Sequence, residues 1–137
     1  MATTGYSGTP LVKKLGFKQG HRVVFRSTPD HYFQLLAGLP KIFVLPSPGK
    51  ESADLIHLFC TRREALEEAF PVLKEALKKS GMLWVSWPKA SSALPTDLNG
   101  NIVRQTGLEI GLVDVKVCAV DADWSALKFM YRRKDRG

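Results

Sequence analysis

The sequence predicts an α/β fold: a mostly parallel sheet with helices on both faces, closed at its carboxyl end by an antiparallel hairpin. Three observations carry this. Short apolar, strand-like runs alternate with helical patterns along most of the chain. The run "ADLIHLFC" over residues 53–60 is almost continuously apolar, as expected of a strand covered on both faces. The last two runs, "LVDVKVCAV" and "ALKFMYRR", are joined by a loop too short for a helical crossover, so they pair antiparallel. With 137 residues and 45% hydrophobic content the chain suffices for one domain, 1–137, with 1–20 as an N-terminal segment and 132–137 as a basic tail.

Taken in order, Thr9-Pro10 opens a short helix and Gly16 supplies its left-handed stop. "RVVFR" (22–26) is the first strand. "PDHYFQLLAG" (29–38) reads as a helix with Phe33, Leu36 and Ala37 inward, and "KIFVL" (41–45) as the second strand, ended by Pro46. After the strand at 53–60, Thr61 and Glu64 form a T-x-x-E capping box for a long helix. Its apolar residues follow the helical period, Pro71 should kink it, and Gly81 should terminate it. "MLWVSW" is the next strand. Thr96-Asp97 should start a further helix reaching about Ile110. In the strand over 112–120, Val113, Val115, Val117 and Ala119 alternate with Asp114, Lys116 and Cys118. One connection strains the scheme: seven residues separate Leu45 from Ala53, fewer than a helical crossover needs. That crossover has lost its helix or been replaced by an extended segment.

Composition excludes several functions. No apolar run approaches the ~18 residues of a membrane span. The opening "MATTGYSGTP" has neither a basic nor an apolar leader region, so a cytoplasmic protein is expected. Cys60 and Cys118 lie in apolar segments and are expected to be free core thiols. No Cys, His and carboxylate cluster has metal-ligand spacing. The net charge of +7 arises at the ends of the chain, +4 from residues 1–40 and +3 from 132–137. Such ends suit weak, non-specific attraction to nucleic acid, or simply a solvated tail and a basic helix.

Four stretches, "GYSGTPLVKKLG", "IHLFCTRREALEE", "GMLWVSWPK" and "GLVDVKVCAVDADWSALK", resemble a family of small bacterial proteins, domain of unknown function 3052. That resemblance implies kinship and brings no activity with it. The order of elements is also similar to the Rossmann-like class I methyltransferase fold, which binds S-adenosylmethionine. In that fold a glycine-rich loop follows the first strand, because only glycine lets backbone approach the cofactor closely. Here the position reads Arg26-Ser27-Thr28-Pro29-Asp30, without glycine. The fold also places a carboxylate after the second strand to hold the ribose; here Leu45 runs into Pro46-Ser47-Pro48. The expectation is a shortened methyltransferase-like scaffold that has lost its cofactor loop and binds no cofactor.

Ligands of open α/β sheets bind beyond the carboxyl ends of the strands. Those ends supply Arg26, Ser27, Arg62, Ser86, Trp87 and Lys89, with Ser91, Ser92 and the Tyr6-Ser7-Gly8 segment nearby. This rim of cations and hydroxyls around one aromatic suits a small anionic or phosphorylated ligand. Trp84, mid-strand, reads as core, and Trp87, at the strand end, as available to a ligand. His57 reads as a hydrogen-bonded core residue, and Asp114 with Lys116 as an ion pair on the hairpin. No nucleophile elbow, zinc-protease motif, P-loop or dinucleotide fingerprint is present, and no catalytic residue is assigned. The leading reading is a non-catalytic binding module. Alternatives are an enzyme with a redesigned methyltransferase-type cleft using Ser86, Lys89 or His57, and a weak nucleic-acid binder acting through its basic ends.

Overall fold

A computed structural model describes residues 9–136. The readings placed on 1–8 and 137, among them the Tyr6-Ser7-Gly8 contribution to the rim, lie outside the described residues. The elements are α1 (Leu11–Leu15), β1 (Arg22–Arg26), a 3-10 turn (Tyr32–Leu35), β2 (Phe43–Val44), β3 (Ala53–Phe59), α2 (Arg63–Ala76), β4 (Leu77–Pro88), α3 (Gly100–Glu109), β5 (Leu112–Ala119), β6 (Trp124–Tyr131) and a closing 3-10 turn (Arg133–Asp135). They build one six-stranded sheet in the order β2-β1-β3-β4-β6-β5. Neighbours from β2 to β4 run parallel, and β6 is antiparallel to both β4 and β5.

Each face of the sheet has its own core. Helices α2 and α3 cover one, burying Leu66, Phe70 and Val103 against Ile56, Leu58, Val85, Trp87 and Phe129. Gly107 is what lets α3 lie this low, since a methyl group there would overlap the Phe129 ring. Helix α1 and the first 3-10 turn cover the other, burying Leu15 and Tyr32 against Val23, Leu55, Phe59, Trp84 and Trp124. Trp84 is fully buried, and its indole N–H donates to the Leu15 carbonyl at 2.8 Å, which fastens α1 to the sheet.

Several boundaries differ from expectation for identifiable reasons. The helix expected over 29–38 is only a 3-10 turn in which Tyr32 and Leu36 are buried, while Phe33 and Ala37 are exposed. Tyr32 takes the inward position because its ring packs edge-on against Phe25, His57 and Phe59. Strand β2 is reduced to two residues at the sheet edge, bounded by Pro40 and Pro46, neither of which can donate to a ladder. The short crossover is an extended segment with no helix. It passes the end of α2, where the N–H groups of Glu51 and Ser52 donate to the Glu75 and Ala76 carbonyls at 2.9 Å.

Those bonds satisfy carbonyls that a helix end leaves open, and α2 stops at Ala76 instead of reaching Gly81. Leu77 is already extended and pairs with Ala53. Gly81 serves a different need: a side chain there would stand 2.9 Å from the Ala53 carbonyl oxygen. The Thr61–Glu64 capping box does not form. The N-cap residue is Arg62, with no side-chain cap, and the first free N–H of α2, that of Arg63, donates to the Asp97 carboxylate at 2.6 Å. Thr96 and Asp97 therefore do not open α3; Asn99 caps it, accepting from the Ile102 N–H at 2.9 Å.

In β5 the strict alternation is broken by a register shift between Asp114 and Lys116. Val115 and Val117 are exposed, and Lys116 turns to the α1 face beside Cys118. Asp114 pairs with Arg104 of α3 at 3.2 Å and not with Lys116. The basic tail is docked: the Arg132 guanidinium donates to the Leu108 carbonyl and that of Arg136 to the Tyr131 carbonyl. No described helix is long and apolar enough to cross a membrane.

Candidate functional site

The chain leaves β1 toward the α1 face, through the first 3-10 turn, and leaves β3 toward the opposite face, through α2. Between these neighbouring strands the connections diverge, which in an open α/β sheet opens the crevice where ligands sit. At its lip the Arg26 guanidinium donates to the Phe25 carbonyl at 3.0 Å and reaches across to the Pro46 carbonyl at 3.2 Å. One side chain thereby ties the end of β1 to the segment after β2. Ser27 follows in left-handed backbone (φ 57°), a conformation that favours glycine. No α-helix starts behind it, so no array of helix N–H groups faces the crevice. At the next strand end the loop carrying Thr96 and Asp97 folds over α2; the Thr96 hydroxyl donates to the Thr61 carbonyl at 2.6 Å. The anion position at the α2 N-terminus is thus taken by the chain's own Asp97 carboxylate.

Behind the lip, β3 and β4 enclose a hydrogen-bonded chain of three side chains. The Tyr32 hydroxyl lies 2.7 Å from Nδ1 of His57, and Nε2 of His57 lies 2.6 Å from the Ser86 hydroxyl. All three residues are fully buried. Phe59 stacks on the imidazole at 4.2 Å. Burial lowers the His57 pKa to about 3 and raises that of the Tyr32 phenol. A neutral imidazole between two hydroxyls has the partners of a Ser–His relay, but no described path brings a substrate to Ser86. The group satisfies polar atoms inside the core, and among the described residues no buried side-chain polar atom lacks a partner.

The predicted rim residues are therefore only partly brought together. Arg26 and Ser27 share a surface groove of about 260 Å³ with Leu58, Ala69, Val72, Leu73 and Glu68. Arg62 is exposed at the start of α2, and Lys89 is half-buried, its N–H donating to the Asp123 carbonyl. Ser86 and Trp87 lie below the rim. Trp87 is 7% exposed because α3 begins on top of it: the indole lies 3.3 Å from where a Gly100 side chain would start. Its strand-end position suggested exposure, but the descending helix covers it. Sequence reasoning also missed a second cavity, lined by Lys13, Lys14, Lys116, Cys118 and Ser125. Lys116 and Cys118 share a face by alternation, but nothing in the sequence shows that α1 and β6 bring the others to them. Among the described residues no cluster of His, Cys, Asp and Glu could hold a metal ion.

No family model matches the chain, and no curated protein matches it in sequence. Solved structures do. The chain is similar to a S-adenosylmethionine-dependent methyltransferase from Aquifex aeolicus (TM-score 0.67, 13% identity, covering 89% of this chain and 88% of that one). It is also similar to a putative type 11 methyltransferase from Sulfolobus solfataricus (0.62, 12% identity, 84% and 85%). A third likeness is to a structure of the Trm112 methyltransferase activator in complex with a putative methyltransferase, from Haloferax volcanii (0.64, 8% identity, 90% and 87%). Identities this low define the fold alone. The fold is that of the class I methyltransferases, Rossmann-like and in shortened form.

Proposed function

We propose that this chain is a non-catalytic binding module on a methyltransferase-type scaffold. It does not use S-adenosylmethionine; it holds a small anionic or phosphorylated ligand at the carboxyl edge of the sheet. One observation carries the reading: Arg26 spans from β1 to the Pro46 carbonyl, where a cofactor loop would leave the crevice open. The missing glycine after β1 and the missing carboxylate after Leu45 support it. Arg26 keeps further N–H donors for an anion, and the adjoining groove of about 260 Å³ suits a compact one. The kinship with domain of unknown function 3052 belongs to the same proposal and rests on the four sequence stretches quoted above.

The test is thermal unfolding with inorganic phosphate and glycerol 3-phosphate, at matched ionic strength, for the wild type and Arg26→Gln. The wild type should be stabilised, and Arg26→Gln should lose that response. No shift with either compound, or one that survives in Arg26→Gln, removes the ligand from this edge.

A further inference from the structure

On the α1 face, away from the crevice, the molecule gathers lysines from α1, β5 and β6. Lys116 of β5 and Lys128 of β6 are direct cross-strand partners. Like charges placed opposite each other destabilise a strand pair. Lys13 and Lys14 come down from α1 to the same place, where with Thr9, Ser125, Lys116, Val117, Cys118 and Ala119 they line an open cavity of about 490 Å³. Among the described residues no carboxylate lies within ion-pair distance of Lys13, Lys116 or Lys128. Asp121 lines the adjoining cavity with Lys14. Its carboxylate is held by His31 at 2.6 Å and by the N–H groups of Asp123 and Trp124.

Lys128 is partly buried above the Trp84 ring. Its ammonium lies 5.8 Å from the centre of the Trp84 ring, and its pKa is lowered first by burial and then by Lys116. Lys128 does not itself line the cavity but stands opposite Lys116, which does; lysines opposed at the edge of a concave site are explained when a multiply charged anion lies between them. We propose that this cavity is a second binding site, for a small molecule carrying a diphosphate. Lys13 and Lys116 would neutralise the diphosphate, with Lys128 beside Lys116 across the strand pair, the Thr9 hydroxyl would donate to its oxygens, and the β5 edge over Val117, Cys118 and Ala119 would support the organic body. Separate flexible ammonium groups suit a diphosphate, which presents several oxygens in different directions. The cavity falls within the ~300–1,000 Å³ range of small-molecule sites. This site shares no residue with the Arg26 edge and stands or falls apart from it.

The test is calorimetric titration of the full chain with pyrophosphate, ADP and adenosine at about 0.15 M ionic strength. Lys116→Gln and Lys128→Gln are the site variants, and Arg133→Gln, an exposed tail position, is the charge-matched control. ADP and pyrophosphate should bind while adenosine does not. Each site variant should weaken ADP by about tenfold or more, and Arg133→Gln should not. Lys116→Gln should also raise the melting temperature of the ligand-free protein, because it relieves the repulsion across the strand pair. Absence of ADP and pyrophosphate binding, or equal weakening in Arg133→Gln, overturns the proposal. So does a ligand-free Lys116→Gln less stable than the wild type. A duplex oligonucleotide that binds more tightly than ADP and is lost in the same variants would reassign the patch to nucleic acid.

Discussion

His57 is held neutral by burial, and this links acid to stability in a definite window. Its folded-state pKa of about 3 lies below the ordinary 6.5, so between these values the unfolded chain binds a proton that the folded chain refuses. The associated stability is complete above pH 6.5 and drains away as pH falls toward 3. Urea unfolding should therefore show a loss of about 2 kcal/mol between pH 7 and pH 5, and His57→Asn should flatten that slope. A wild-type stability constant over that interval would mean that the imidazole is accessible to protons. Asp54 acts lower on the scale. Burial alone would raise its carboxyl, but the Arg22 N–H and the Lys78 ammonium outweigh that and hold it below the ordinary carboxylate value. At this scale much was legible. Trp84 as core and His57 as a hydrogen-bonded core residue follow from their place within continuous apolar strands. Trp87 was misplaced because a strand's end says nothing about which helix will later be laid across it, and Ser86 because its hydroxyl turns to the other face, into the bond with His57.

Among the elements, α2 tests how well a local motif survives tertiary context. Its sequence contains a complete capping box, yet the structure draws the cap from Asp97, 34 residues downstream of Arg63. Asp97→Ala should lower stability by about 0.5–2 kcal/mol, the usual worth of a cap. Glu64→Ala, on an exposed side chain with no cap role, should stay within about 0.5 kcal/mol. Denaturant midpoints decide this, and the reverse ranking would restore the local box. The existence and order of the regular helices and strands were readable from apolar periodicity. Their ends were not, because those are fixed by distant groups: Glu51 and Ser52 end α2, and Asp97 begins it. The β5 bulge escaped for a related reason. Val113, Val115 and Val117 look like one face in sequence, but the register shift before Lys116 moves that lysine to the α1 face.

For the molecule as a whole, the sheet's parallel body and antiparallel closing hairpin were legible from composition and connection length. The short link between β2 and β3 marked, in sequence alone, where a helix had been dispensed with. The two thiols fit this architecture: Cys60 belongs to the core under α2 and α3, Cys118 to the core under α1, so the sheet separates them, and both are free. Burial pushes the Cys60 thiol up to about 11, which keeps it protonated and unreactive at neutral pH. The lysine cavity was not legible, because α1, β5 and β6 are distant in sequence and meet only once the sheet is assembled. For the whole molecule, the proposal is that a methyltransferase-type scaffold persists without its cofactor. The most direct measurement is isothermal titration of the protein with S-adenosylmethionine and with S-adenosylhomocysteine. With Arg26 bridged to Pro46 and no glycine after β1, neither compound should bind in the micromolar range. A micromolar dissociation constant for either one would contradict the account and make this chain a cofactor-binding methyltransferase-type protein after all.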